Sequence, residues 1–459
     1  CKLCYLEKRD IKILNTLYNN SPYLLKCLMA STKGAYLKNI RYDSTTPQRI
    51  EKYIERESWN KKQWHEWVDS KLNETLYNAR EYVPFYQKYW SECEKSYEEL
   101  KNWPIITKQK INEFPDLFID ARFKKSQLYH DHTSGTTGTP LDIYLDYDSV
   151  KEQYALFEAR VKQKYNIELD ETWAIIGAQR VTDVNRKTPP FWVYNYASCQ
   201  LYLSSLHIAE WSVTDYVNAL VKYQPKCMIG YTNSIYQLAL VMKERNQVFK
   251  LKAVITNAEP LYEYQEKIIA EAFECPVVET YGQAELVSFA SRFPDGKIYE
   301  SLEMGVTEII DIDQYEDGEY GRLIATGMLN KAMPLIRYDT NDLISNAKSH
   351  EDGSLPEYGK ILGRRDDVII LEDGRKIIQI DGIFTSELNI LQGQIIQEDY
   401  TEFTIKLVPA LNWRDENKHI IRNSLIQRLG DVDIKIEICN EIEKTWAGKF
   451  RVIKSNCSC

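Results

Sequence analysis

The chain has 459 residues, 44% of them hydrophobic and 27% charged, a balance that excludes a disordered or collagen-like polymer. At roughly 100–200 residues per domain it holds about two to four domains. With 58 Lys+Arg against 67 Asp+Glu the net charge is −9, which argues against a general nucleic-acid binder.

No apolar run approaches the roughly 20 residues needed to span a bilayer. The longest uncharged stretch, 188–209, is broken by Asn195, Ser198, Gln200, Ser204 and Ser205 and reads as buried strand and loop. The chain opens on Cys1 without an initiator Met, which reads as a sequence fragment; a lipidated cysteine would need a signal sequence ahead of it. The ten cysteines are scattered, unlike those of a small secreted domain, so reduced thiols in a cytoplasm are expected. Cys1/Cys4 and Cys457/Cys459 form close pairs at opposite ends, but only one has the familiar two-residue spacer and no His lies nearby, so frayed termini are expected rather than zinc. Tyrosine is abundant at 32 residues, suited to a core or cleft that both packs and hydrogen-bonds.

In chain order, the first 100 residues are helical in pattern. Trp64, Val68, Leu72, Leu76 and Ala79 recur at helical spacing and predict a packing helix that ends before Pro84. A Pro-marked segment, Trp103-Pro104-Ile105-Ile106-Thr107-Lys108, follows. The middle then alternates: strand 172–178, a helical face at 213–221, strand 227–230, helix 234–244, strand 253–256, helix 262–273, strand 276–279. Such alternation predicts parallel pairing with crossover helices, and ligands bind on the loops beyond the strand carboxyl ends. From about 303 the pattern becomes strand-rich, and a charged break follows at 361–367. Beyond it, segments 368–371 and 376–379 flank Glu372-Asp373-Gly374-Arg375 as a hairpin, and strands 401–408 and 433–438 enclose a helix at 418–429. The expected fold is α/β, with a large N-terminal body, residues 1–365, and a small mobile α+β lid, residues 366–459.

Four strings carry chemistry. Ser134-Gly135-Thr136-Thr137-Gly138, after His132-Thr133, is a run of small and hydroxyl residues whose amides suit a polyphosphate; it lacks the Gly-Lys-Ser/Thr ending of a Walker loop, and alone it is equally a flexible hairpin. Tyr281-Gly282-Gln283-Ala284-Glu285 offers an aromatic face and a carboxylate suited to magnesium, or is a surface loop. Tyr338-Asp339-Thr340-Asn341-Asp342, with Gly363-Arg364-Arg365-Asp366-Asp367, offers a carboxylate for ribose hydroxyls and an arginine donor, or a structural ion pair. Gly448-Lys449-Phe450-Arg451 places a compact mobile cation on a loop, or is an ordinary surface lysine.

In this order and at these separations the strings resemble the adenylate-forming ligase superfamily. Within it the chain is similar to the phenylacetate–CoA ligase-like branch, including relatives of capsular polysaccharide biosynthesis. The helix ending at Arg80-Glu81-Tyr82-Val83-Pro84-Phe85-Tyr86 also looks like that branch, and the likeness runs from about residue 60 to 455.

The resemblance implies an enzyme that uses ATP and magnesium to turn a carboxylic acid into an acyl-adenylate, then passes the acyl group to CoA or to an amine or amino sugar. It implies that Ser134, Gly135, Thr136, Thr137 and Gly138 hold phosphates, and that Glu285 holds magnesium. It implies that Tyr281 and Gly282 face adenine with Ala258, Glu259 and Pro260 at its edge, and that Asp342 with Arg364 takes the ribose. Lys449 is implied as the catalytic lysine and Asp366 as the hinge. Three departures stand out: Ala284 replaces a Thr or Ser, Asn341 replaces a Gly, and 286–300 lacks the Cys and His with which this branch often binds zinc, so no zinc is expected. The substitutions at 284 and 341 leave open a relative that binds nucleotide without turnover. The acid pocket is open to aryl, acyl and amino acids, and oligomeric state leaves no mark in the sequence.

Overall fold

In the computed structural model the described residues are 17–133, 140–315, 318–345, 355–378, 382–445 and 448–457. Near their start lies helix α1, Tyr23–Arg41, and after a short helix at Thr46–Arg56 comes α2, Lys61–Tyr82. α2 is the helix predicted from the 64–79 spacing. It starts earlier because Asn60 caps it: the Asn60 side chain accepts from the Gln63 N–H while Gln63 reaches back to the Asn60 N–H. It stops at Val83 because Pro84 starts the next helix, where a missing N–H costs nothing.

The body is built on an eight-stranded sheet. In chain order its strands are β1, Trp173–Gly177; β2, Trp192–Asn195; β3, Gln200–Ser204; β4, Cys227–Tyr231; β5, Ala253–Asn257; β6, Val277–Gly282; β7, Phe289–Arg292; and β8, Ile298–Glu300. They lie in the order β8-β7-β6-β5-β4-β1-β3-β2. The five central strands, β6 to β3, pair in parallel, and the outer pairs on both sides are antiparallel. The crossovers are helical: α3, Val213–Tyr223, precedes β4; α4, Thr232–Glu244, joins β4 to β5; and α5, Glu263–Phe273, joins β5 to β6. Buried apolar positions of β1, β3, β4 and β5 pack with those of the three helices, including Leu220, Ile235, Leu238, Ile269 and Phe273, in one core. α4 is nearly enclosed, which is why its sequence runs apolar around most of its circumference.

A second, four-stranded sheet follows, with β9, Gly305–Tyr315; β10, Gly318–Gly327; β11, Tyr338–Ser345; and β12, Ile361–Arg364, in simple antiparallel order. Past the 3₁₀ turn Arg365–Asp367 the chain forms the expected hairpin, with Ile369–Ile370 against Lys376–Ile377. It then forms β13, Ile390–Asp399; β14, Glu402–Pro409; helix α6, Asn417–Leu429; β15, Asp433–Ile438; and β16, Ile453–Ser455. Ile395, Phe403, Ile405, Ile421, Leu425 and Ile434 give this C-terminal part its own core. Among the described residues no helix is long and apolar enough to cross a membrane.

Candidate active site at the carboxyl ends of the parallel strands

The central sheet reverses its winding between β1 and β4. From β1 the chain continues to β3 on one side and then returns to β4 on the other, so the two connections leave in opposite directions. That divergence opens a crevice beyond the carboxyl ends of the strands. Ala178, Tyr231, Ala258 and Gly282 stand at these ends. The loop carrying Gly448 enters here: a Cβ on Gly448, whose φ is +77°, would lie 3.5 Å from Ala178 and 3.9 Å from the Tyr231 ring. A side chain there would be strained by the positive φ, although it would meet both strand ends only at ordinary contact distance.

Glu259 joins the loop to the body. It follows Ala258, which holds a φ of 65°, a conformation a non-glycine residue adopts only at a cost. The Glu259 Oε2 accepts from the Asn233 N–H at 2.8 Å, at the start of α4, where the helix offers free N–H groups. Its Oε1 accepts from the Phe450 N–H at 2.6 Å. Burial raises the Glu259 pKa above the ordinary carboxylate range, and the two backbone donors, Lys444 and Lys449 pull it back.

Lys449 is half-buried beside this contact. Thr445 shapes its loop, its hydroxyl accepting from the Lys449 N–H at 3.1 Å while its N–H donates to the Lys449 carbonyl at 2.9 Å. Burial lowers the Lys449 pKa below the usual lysine range and the Arg364 charge lowers it further, while Glu259, Asp342 and Glu285 oppose the shift. Five groups, most of them far apart in the sequence, therefore share one electrostatic environment.

The β11–β12 pairing sets two of them opposite one another, Asp342 facing Arg364. The Arg364 Nε lies 3.1 Å from Asp342 Oδ1, and the Tyr281 hydroxyl donates to Asp342 Oδ2 at 2.6 Å. Tyr281 is held well above its ordinary pKa by burial and then by the Asp342 charge, so it stays a donor. The Tyr338 hydroxyl donates to Glu285 Oε1 at 2.8 Å. Glu285 is one buried carboxylate, which fits magnesium's habit of taking one or two protein carboxylates and completing its shell with phosphate oxygens and water. Asn341, the departure from glycine, has a φ of 60°. Asparagine tolerates this left-handed conformation better than most side chains, so the substitution keeps the local irregularity of β11.

Some expected residues fall elsewhere. Ser134, Gly135, Thr136, Thr137 and Gly138 lie outside the described residues. Asp366 belongs to the turn Arg365–Asp367, but its side chain is outside them too; its neighbour Asp367 accepts from Arg451 Nε at 2.8 Å, which ties the turn to the Lys449 loop. Tyr281 and Gly282, read from the sequence as loop, complete β6, because Tyr281 and Gly282 pair with Ala290 and Phe289 of β7. Cys1, Cys4 and Cys459 are outside the described residues, and among those described no three His, Cys, Asp or Glu side chains converge to hold a metal ion.

Sequence reasoning missed Lys108. Its segment pairs with the start of β11: the Ile106 N–H donates to the Arg337 carbonyl at 3.0 Å, and the Asp339 N–H to the Ile106 carbonyl at 2.9 Å. Trp103, wedged edge-on between Tyr86 and Trp90 at 5.1 Å from each, anchors that segment. Burial lowers the Lys108 pKa, Glu285 raises it and Arg364 lowers it again, which places the ammonium in the same cluster. The Pro104 mark signalled a rigid segment, but nothing in the spacing tied it to residues 285 or 364.

The chain is similar to several known proteins. Over 97% of this chain and all of the relative it is 25% identical to Protein CapK of Staphylococcus aureus. It is 21% identical to phenylacetate-coenzyme A ligase of Pseudomonas putida over 66% of this chain and 70% of that one. These similarities support the resemblance to the adenylate-forming ligase superfamily. The family described as the CapK C-terminal domain matches residues 369–456. The fold is also that of 2-hydroxyisobutyryl-CoA ligase in the postadenylation state with R3-HIB-AMP, at a TM-score of 0.61 and 18% identity, covering 85% of this chain and 89% of that one. This shared mixed α/β fold, with its C-terminal domain, is the one expected from the strand–helix alternation.

Proposed function

We propose that this protein activates a carboxylic acid with ATP and magnesium and transfers the acyl group to the thiol of CoA. In the first step a carboxylate oxygen attacks the α-phosphorus, and the bond to pyrophosphate breaks. In the second the acceptor sulfur attacks the acyl carbon, the bond to AMP breaks, and the thiol proton is lost. The observation that carries the reading is the meeting of Lys449, Arg364, Asp342 and Glu285 at the strand carboxyl ends, with the Lys449 loop fastened to the body through Glu259.

On this reading Lys449 bridges the attacking carboxylate and the α-phosphate, Asp342 and Arg364 hold the ribose, and Tyr281 and Gly282 with Ala258, Glu259 and Pro260 bound the adenine. Ser134 to Gly138 hold the phosphates. Glu285 would hold magnesium, which when bound neutralises phosphate charge. The protein's own contribution is position and charge, with little proton transfer required. The lid is placed at 366–459, turning about Asp366. Besides the Phe450 N–H to Glu259, hydrogen bonds that fasten it include Tyr236 hydroxyl to the Ile390 carbonyl, Asn412 N–H to Glu244 and Lys267 to Glu387, scattered polar contacts that can exchange for others.

A second reading passes the acyl group to an amine or amino sugar in capsular or surface polysaccharide biosynthesis. It rests on the similarity to CapK along the whole chain and in the C-terminal domain. A pyrophosphate-exchange screen of carboxylic acids with Mg·ATP tests the shared first step. Mass analysis after adding CoA or amines to the adenylating enzyme then separates the acceptors. Bound ATP with no exchange for any acid would instead mark a non-catalytic nucleotide binder. An Asp366→Pro variant should trap one lid position, and unchanged rates in both half-reactions would refute the hinge.

A further inference from the structure

A cavity of about 1550 Å³ runs from the end of β6 at Tyr281 to Ala284 towards the inner face of α1. Every residue lining it lies between Tyr18 and Met304, so the body alone forms it. It exceeds the roughly 300–1,000 Å³ of an ordinary small-ligand pocket, which leaves room for an acid well beyond its reacting carboxylate. Much of its wall is aromatic, with Tyr154, Phe157, Trp173, Tyr202 and Phe289 among the lining residues.

Arg41 also lines this cavity, as the last residue of α1, where the helix dipole favours a cation. Its guanidinium lies over the Tyr154 ring at 4.6 Å, and Tyr42 meets the same ring edge-on at 5.7 Å. Elsewhere in the fold such arginines are matched by carboxylates: Arg160 by Glu57 and Glu303, Arg292 by Glu266 and Glu279, Arg337 by Glu308. Among the described residues no carboxylate lies within ion-pair distance of Arg41. The neighbouring Glu158 is already engaged, its Oε1 accepting from Lys162 and from the Tyr42 hydroxyl, each at 2.8 Å. The Tyr129 hydroxyl takes one of the five Arg41 N–H donors, and the Asp131 charge acts on Tyr129 and Tyr154 beside it. The remaining donors of a stacked guanidinium suit the paired oxygens of a carboxylate or phosphate.

We propose that Arg41 determines substrate specificity by binding a second anionic group on the acid, so that the preferred substrate is a dianionic, aromatic or otherwise bulky acid. This rests on the adenylating reading above and names its substrate class. The same donors would also suit a phosphate of the acceptor, and the first half-reaction separates the two sources because it needs no acceptor.

The test is pyrophosphate exchange with matched probes: phenylacetate against phenylenediacetate, and hexanoate against adipate. The wild type should favour each dianionic member by about 10- to 100-fold in kcat/KM, the range expected of a charge-assisted pair. Arg41→Gln should erase that preference through KM, and Arg41→Lys, which keeps the charge but not the fork, should retain part of it. Equal use of both members by the wild type, or a preference that survives in Arg41→Gln, would overturn the proposal. So would an Arg41→Gln effect seen only on transfer to CoA, which would assign Arg41 to the acceptor. Titration of the same probes by tryptophan fluorescence, with Trp173 in the cavity wall, reads binding without turnover. Selective diacid binding that Arg41→Gln removes, without exchange for any acid, would uphold the anion site and refute adenylation. Binding without discrimination would overturn the anion site.

Discussion

The Glu259 carboxylate accepts the Phe450 N–H at 2.6 Å, one residue beyond Lys449, while its other oxygen accepts the Asn233 N–H at 2.8 Å. One side chain at the end of β5 thus positions the loop that carries the lysine. A short hydrogen bond to a charged acceptor contributes about 1.5–3 kcal/mol.

Glu259→Gln leaves a single amide oxygen for two backbone donors. We expect pyrophosphate exchange to fall about 10- to 100-fold, with less effect on transfer from a supplied acyl-adenylate. The ratio of the two half-reactions is the readout. A loss shared equally by both steps would show that Glu259 supports the fold without positioning Lys449.

Lys449→Ala should reduce exchange by about 100- to 1,000-fold, the loss typical of removing one preorganised charge partner of a transition state. Thioester formation from supplied acyl-adenylate should persist. Equal loss in both assays would contradict the assigned role.

The pH profile follows from the lysine's surroundings. Burial and then Arg364 lower its pKa, and its charged form is the one that binds phosphate and carboxylate. Exchange should therefore fall on the alkaline side at a pH below about 10.4, the ordinary lysine value. Lys449→Arg, slower but charged throughout, should show no such limb. A limb unchanged in that variant would assign the titration to another group.

Glu300 gives a stability test away from the cleft. Burial lifts its pKa to about 7, opposed by the Thr307 hydroxyl, which donates to it at 2.9 Å. Between its unfolded value and about 7 the folded state holds the extra proton. Stability from this group is therefore full below its unfolded pKa and is lost as pH rises through about 7. Glu300→Gln should flatten that fall and raise Tm at pH 8 relative to wild type. Parallel Tm–pH curves for the two proteins would refute the assignment.

Much of the fold was legible in local pattern. The periodicity at 64–79, the strand–helix alternation from 172 to 282 and the hairpin around Asp373-Gly374 each follow from short-range rules of side-chain direction and turn chemistry, and each is present. The site motifs were legible as residue types. Asn341 looked like a warning in sequence and proved to be a residue that can hold the positive φ its place requires.

Tertiary structure alone decided which residues meet. The sheet's reversal between β1 and β4 brings the 448 loop to Ala178, and the β11–β12 register sets Arg364 against Asp342. Lys108, Glu259 and Arg41 joined the argument only there. Charge and hydrogen-bond partnership act over a few ångströms of space, and separations of 191 residues, as between Glu259 and Phe450, leave no trace in a single sequence.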